Sequence, residues 1–228
     1  MNREQDMVHP LLEQLPPELL DSMAQRIQKR HYPKASIIFH QGEQPRGLYF
    51  IDTGLLQFGI DSPAGHSTCI GIAKQGFYLG DCEILAAKPH FSRATAFTDC
   101  TISLLPREDF EQAMRDSTSF ATAVAQRLAK SLHLVQMVQM ARHQYSAEQN
   151  IAGIILYLAR HFGTLFSDGR YRVDLELSQD QLADMAGVTR QSIHKPLQAW
   201  KAAGWIDYRY GNLVVQDINA LLALLSPL

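Results

Sequence analysis

Between Ala35 and Leu105 the chain is written as short β-prone runs, among them ASIIFH, GLYFID, LLQFGI, HSTCIGIA, FYLG, RATAFTD and TISLLP, punctuated by Gly42, Gly47, Gly54, Gly65 and Gly76. Each run is too short to bury a core alone, and glycine supplies the backbone freedom that tight turns between strands demand. Six or more such strands in about seventy residues must curl on themselves to share one interior, so a small barrel or roll is expected. The preceding stretch, PPELLDSMAQRIQKR, reads as a helix that begins at its prolines and sets Leu19, Leu20, Met23 and Ile27 at helical spacing.

At Pro106 the hydrophobic period changes. PREDFEQAMR carries acids in its first turn, as a helix start prefers, and DSTS breaks it before a longer helix over residues 119–144. In that helix Ala121, Val124, Leu128, Val135 and Val138 form a near-heptad stripe interrupted by Ser131, and Leu134, Met137 and Met140 form a second stripe. Two apolar faces need two partners: one covers the roll, and the same helix of a second chain suits the other, which predicts a homodimer with Val124, Leu128, Val135 and Val138 at its interface. The alternative is a helix buried inside one large domain.

Beyond HQYSAEQN lie an apolar helix, IAGIILYLARHFG, a loop, TLFSDGR, and a strand, YRVDLEL, with Val173, Leu175 and Leu177 alternating. LSQDQLADMAG then opens with a capping box, Ser178 and Gln181. Gly187 turns the chain into GVTRQSIHKP, where Thr189 is the expected N-cap and Ile193, Leu197 and Trp200 define a buried face. Two short helices joined by a tight turn make a helix-turn-helix, and WIDYRYGNLVVQD reads as a β-hairpin wing turning at Gly211-Asn212. Pro196, inside the second helix, is expected to kink or shorten it.

Charge says what that second helix is for. The chain of 228 residues has a formal net charge of −2, yet from Met185 to Ile206 it holds no Asp or Glu while Arg190, Lys195 and Lys201 are all present. An α-helix fits the DNA major groove, and Arg, Lys, Gln, Ser and Thr are the side chains that read base edges or hold phosphates there. Thr189, Arg190, Gln191, Ser192, His194, Lys195 and Lys201 are therefore the candidate DNA-binding residues. The same face could merely be solvated, or serve a protein partner. No Walker loop, GxSxG or HExxH occurs, so catalysis is not expected. Cys69, Cys82 and Cys100 form neither a CxxC nor an even set, which argues against a disulfide framework or a local metal motif. No run of about 18 apolar residues and no secretion signal is found, so a cytoplasmic protein without a membrane span is expected.

The order of short helix, glycine-punctuated roll, long helix and winged helix-turn-helix resembles the Crp/Fnr superfamily of bacterial transcription factors. HQGEQPRGLYFIDTGLLQF, GFYLGD and LSQDQLADMAGVTRQSIHKPLQAWKAAGWI carry the likeness, which spans nearly the whole chain. It implies an α+β chain: a sensor roll over 1–118 like a cyclic-nucleotide-binding domain, a dimerisation helix over 119–145, and a winged helix-turn-helix over 146–228. It implies double-stranded DNA with an inverted-repeat operator and RNA polymerase as partners. The position of Arg190 supports guanine contacts in that family, whereas Gln191 stands where Glu is usual, and Lys195 where Arg is common.

In the family's roll a Gly-Glu pair and an Arg-Ser/Thr pair hold a cyclic nucleotide. Gly80 and Asp81 match the first pair. When AFTDC is set on the family's strand ending, the Arg position falls on His90 and its neighbour on Phe91, leaving Arg93 three residues away and on the opposite strand face. The residues of the candidate effector pocket are Gly80, Asp81, Cys82, His90, Ser92 and Arg93, and a working cyclic-AMP site is not expected of them. No cysteine precedes Cys69, which removes the family's N-terminal iron-sulfur cluster. Haem on Cys82, His90 or a methionine, and a thiol switch at Cys82, stay open, so the effector and any cofactor are unspecified.

Overall fold

In the computed structural model the chain is described from residue 9 to residue 225, residues 141–143 by their backbone alone. It divides into two compact units, with the boundary between Leu134 and Val135. In the first, a 3-10 turn (Leu12–Gln14) leads to α1 (Pro17–Ala24), β1 (Gln28–Tyr32), β2 (Ile37–Phe39), β3 (Gly47–Thr53), β4 (Leu55–Asp61), β5 (Ser67–Lys74) and β6 (Tyr78–Leu79). Then come α2 (Asp81–Ala86), β7 (Arg93–Ala96), β8 (Cys100–Pro106), α3 (Arg107–Asp116) and α4 (Thr118–Gln144), which runs through the boundary.

Two four-stranded antiparallel sheets, β1-β8-β3-β6 and β2-β7-β4-β5, make the expected roll. Alternation along β3 serves two cores at once. Tyr49 and Ile51 point inward to Phe39, Leu56, Ala94, Ala96 and Ile102. Leu48 and Phe50 point outward to Met23 of α1, Phe110 of α3, and Phe120 and Val124 of α4. Gly47 permits the close crossing of β3 and β8, since a Cβ there would lie 1.9 Å from the Leu105 carbonyl oxygen.

One expected helix is corrected. It ends at Ala24, and Gln28–Tyr32 form an edge strand that pairs with β8 from Gln28↔Leu104 to Tyr32↔Cys100. Helical propensity in QRIQKR is overridden because β8 would otherwise expose an unpaired edge.

The second unit contains α5 (Ala147–Phe162), β9 (Gly163–Leu165), β10 (Tyr171–Val173), α6 (Gln179–Ala186), α7 (Arg190–Ala202), β11 (Ile206–Arg209), β12 (Asn212–Val215) and α8 (Ile218–Leu225). Its sheet runs β11-β12-β10-β9, and α5 packs against α6, α7 and α8. Part of the expected loop TLFSDGR is the strand β9, and the strand expected over YRVDLEL ends at Val173, although Val173, Leu175 and Leu177 are all buried as their alternation requires. The wing turns one residue earlier than expected. Arg209 pairs with Asn212, so Tyr210 and Gly211 are the turn, with φ of 51° and 85°.

Candidate nucleic-acid interface and sensor site

Both helices of the motif start on side-chain caps. Ser178 accepts from the Gln181 amide at 3.1 Å while Gln181 Oε1 accepts from the Ser178 amide at 2.9 Å. Gly187, at φ 68°, closes α6 in the left-handed conformation that glycine takes without strain. Thr189 then accepts from the Ser192 amide at 3.2 Å and starts α7, with the two hydroxyls 2.7 Å apart.

The buried face of α7 is Ile193, Leu197 and Trp200, whose indole donates to Glu148 Oε1 at 3.2 Å. Gln191, His194, Lys195 and Gln198 are exposed on the other side. Pro196 does not cut α7 short: the helix continues to Ala202. Arg190 is held by Asp180 of α6 at 2.9 Å, both side chains more than half exposed, a pair that water screens and that is readily exchanged for another anion. Lys201, a further candidate DNA-binding residue, faces the wing in this structure, with Asp207 at 3.5 Å and the Tyr208 carbonyl at 3.4 Å. Against the effect of burial, Arg209 and Lys201 hold the Asp207 carboxyl below its usual range.

The sensor residues are scattered by comparison. Gly80, at φ 101°, caps α2 where a Cβ would meet the Gly47 carbonyl at 2.4 Å. Asp81 is 1% exposed and is met by Arg127 Nη1 of α4 at 2.5 Å. Arg127 also donates to the Tyr78 carbonyl at 2.8 Å and lies 4.2 Å from the centre of the Tyr78 ring. Burial pushes the Asp81 carboxyl up, and Arg127 opposes that push.

Cys82 is exposed, but partial desolvation and the charges of Asp81 and Glu83 push its thiol up, away from a reactive thiolate. His90 is buried and stacked on Phe39 at 3.8 Å, its Nδ1 3.6 Å from Glu83 Oε1, too far for a hydrogen bond. Ser92 is buried. Arg93 lies on the opposite face of β7 from the core residues Ala94 and Ala96, and is engaged by Asp61 at 3.1 Å and Ser67 at 2.8 Å.

A cavity of about 580 Å³ lined by His9, Gln14, Phe77, Arg127 and Lys130, and one of about 360 Å³ lined by His9, Asp21, Lys29, Asp52 and Ser103, include none of the six expected effector residues. Among the described residues no three His, Cys, Asp or Glu side chains gather as a metal site, and no helix is long and apolar enough to cross a membrane.

The long helix requires another correction. Val124, expected at the dimer interface, is fully buried in the core with Phe110 and Phe120, and Leu128 packs against that core. Val135 and Val138 are exposed, as are Leu132, Leu134, Met137 and Met140. Sequence reasoning missed Arg127, because its acid partner is 46 positions away and no local pattern links them. It also missed His9, whose Nδ1 accepts from the Leu11 amide at 3.1 Å while Nε2 meets the Gly76 carbonyl at 3.0 Å.

Comparison with known proteins matches residues 29–117 to the cyclic nucleotide-binding domain and residues 149–224 to the Crp-like helix-turn-helix domain. The chain is 23% identical over 205 residues to the CRP-like cAMP-activated global transcriptional regulator of Mycobacterium tuberculosis, covering 90% of this chain and 91% of that one. It is 25% identical over 213 residues to the cyclic AMP receptor protein of Thermus thermophilus, covering 93% and 94%. The solved structure of FixK2 from Bradyrhizobium japonicum shares its fold, with a TM-score of 0.73 at 17% identity over 87% of this chain and 96% of that one.

Proposed function

Because the chain belongs to the Crp/Fnr superfamily of transcription regulators, we propose that it binds an inverted-repeat operator as a homodimer, with α7 in the major groove. The observation that carries this reading is the division of α7, which buries Ile193, Leu197 and Trp200 and leaves Arg190, Gln191, His194 and Lys195 in solvent. Arg190 and Gln191 read bases, Lys195 reads bases or phosphate, and Thr189 and Ser192 fix the helix start on the backbone. The exposed stripe with Val135 and Val138 pairs two copies, which sets half-site centres about one helical turn, 10 to 10.5 base pairs, apart. RNA polymerase is the partner for regulation in the cytoplasm.

The test is a titration over a randomised half-site at several salt concentrations. Loss of a bidentate Arg190 contact costs about 1–3 kcal/mol and relaxes one base position, and Gln191→Glu shifts base choice. If Arg190→Ala keeps the affinity and preference of the natural chain, the assignment of α7 is wrong.

The effector is a small molecule or a redox signal other than cyclic AMP in the family's usual mode. What supports this is the engagement of both groups such a ligand needs: Asp61 and Ser67 hold Arg93, and Arg127 holds Asp81. Gly80 and Asp81 favour the alternative of a cyclic-nucleotide-responsive regulator, as do the names of the two relatives. Calorimetry separates the two: saturable micromolar binding of cyclic AMP that is lost in Arg93→Ala would restore the alternative.

A further inference from the structure

The cavity of about 580 Å³ lies wholly within the first unit and is large enough for a small organic molecule. Its walls are the segment that begins at His9, the turn at Gly76–Tyr78, and the face of α4 that carries Arg127, Lys130 and Leu134 at helical spacing. It sits on the outer side of the β1-β8-β3-β6 sheet, where Tyr78 packs with Phe50, Phe120 and Val124. None of the candidate effector residues from Gly80 to Arg93 lines it.

The chemistry of this cavity is one-sided. No Asp or Glu lines it. His9 is neutral, with Nδ1 accepting from the Leu11 amide and Nε2 donating to the Gly76 carbonyl at 3.0 Å, and the second bond ties one wall to the next before any ligand arrives. The charge of Arg127 is answered by Asp81. Lys130 is exposed and has no carboxylate partner among the described residues, so one positive charge is left over. Beside it Phe77 and Leu134 are 49% and 61% exposed. A surplus cation next to bare apolar side chains in a preformed cavity matches a molecule with an apolar body and a single negative charge. A phosphate monoester carries about 1.5–2 negative charges near neutral pH, more than the surplus, whereas a carboxylate carries one.

We propose that this cavity binds an amphipathic monocarboxylate. The carboxylate accepts from the Lys130 ammonium, and Arg127, which keeps its hold on Asp81 and lies 5.4 Å from the centre of the Phe77 ring, adds to the field at that end. The apolar body covers Phe77 and Leu134. The site belongs to the sensor unit alone and holds whether or not α7 reads DNA.

The experiment is calorimetry on the full chain with octanoate as the probe, compared with acetate, which lacks the body, and 1-octanol, which lacks the charge. Octanoate is expected to bind saturably, and each comparison compound at least about tenfold more weakly. Lys130→Met keeps the apolar stem and removes the charge; it should weaken octanoate about tenfold, leave 1-octanol unchanged, and be rescued by Lys130→Arg. Lys130 is exposed, so neither substitution threatens the fold. Absence of saturable octanoate binding overturns the inference. Equal binding in Lys130→Met also overturns it, since the probe then sits adventitiously on the exposed stripe of α4. If Leu134→Gln gives a monomer in light scattering and leaves octanoate binding unchanged, that face belongs to a second copy of the chain and the inference fails.

Discussion

Arg127→Met removes the cation that faces Asp81 and leaves a carboxylate that is 1% exposed without its ion-pair partner. At about 4 Å and an effective dielectric near 20, two unit charges attract by ~4 kcal/mol. Stripping one partner from a buried pair typically costs about 3–5 kcal/mol. The Arg127 side chain is 24% exposed, so water screens part of the attraction. Methionine keeps much of the packing over Tyr78, which sets the expected loss at about 2–3 kcal/mol.

The sign with pH follows from the raised Asp81 carboxyl. A group raised on folding contributes stability below its ordinary pKa and loses that contribution as pH rises through the raised value. Without Arg127 the rise is larger, so the deficit of the variant is greatest near neutral pH and shrinks as acid protonates Asp81 in both proteins. Both tryptophans, Trp200 and Trp205, lie in the second unit. A urea titration followed by hydrogen exchange over α2 and β6 therefore reports the sensor unit, with tryptophan emission as the control for the other. A deficit under about 1 kcal/mol near pH 7, or one that does not shrink near pH 4, refutes the reasoning.

Val135→Glu or Val138→Glu is expected to give a monomer in light scattering, because both side chains are exposed on the unpartnered stripe; an unchanged dimer in both removes that interface. Val124→Glu, by contrast, places a charge inside the core of the first unit and is expected to unfold it, as seen by circular dichroism. The neutral His9 ring uses both nitrogens, and burial lowers its pKa. Its contribution is therefore full above the ordinary value and lost as pH falls through the lowered one, and His9→Ala should flatten that part of the pH profile of sensor-unit stability. Thr189→Ala removes the cap of α7 and should cost about 1 kcal/mol in unfolding of the second unit.

What the sequence determined by itself lies within a few residues along the chain. The capping box of α6, the glycine that ends α6, the threonine that starts α7 and the three-residue stripe it buries all follow from neighbours at most one or two turns away. The roll was legible for the same reason, since strand length and turn glycines are local quantities. Tertiary structure decided what depends on partners far along the chain. Gln28–Tyr32 became a strand because β8, more than sixty residues on, offered an open edge. Arg127 found Asp81, Val124 went to the core instead of the seam, and His90 stacked on Phe39 where the family resemblance placed an arginine. These are pairings of charge, shape and hydrogen-bonding edge across the fold, and periodicity along the chain carries no information about which distant group will be facing a side chain once the roll has closed.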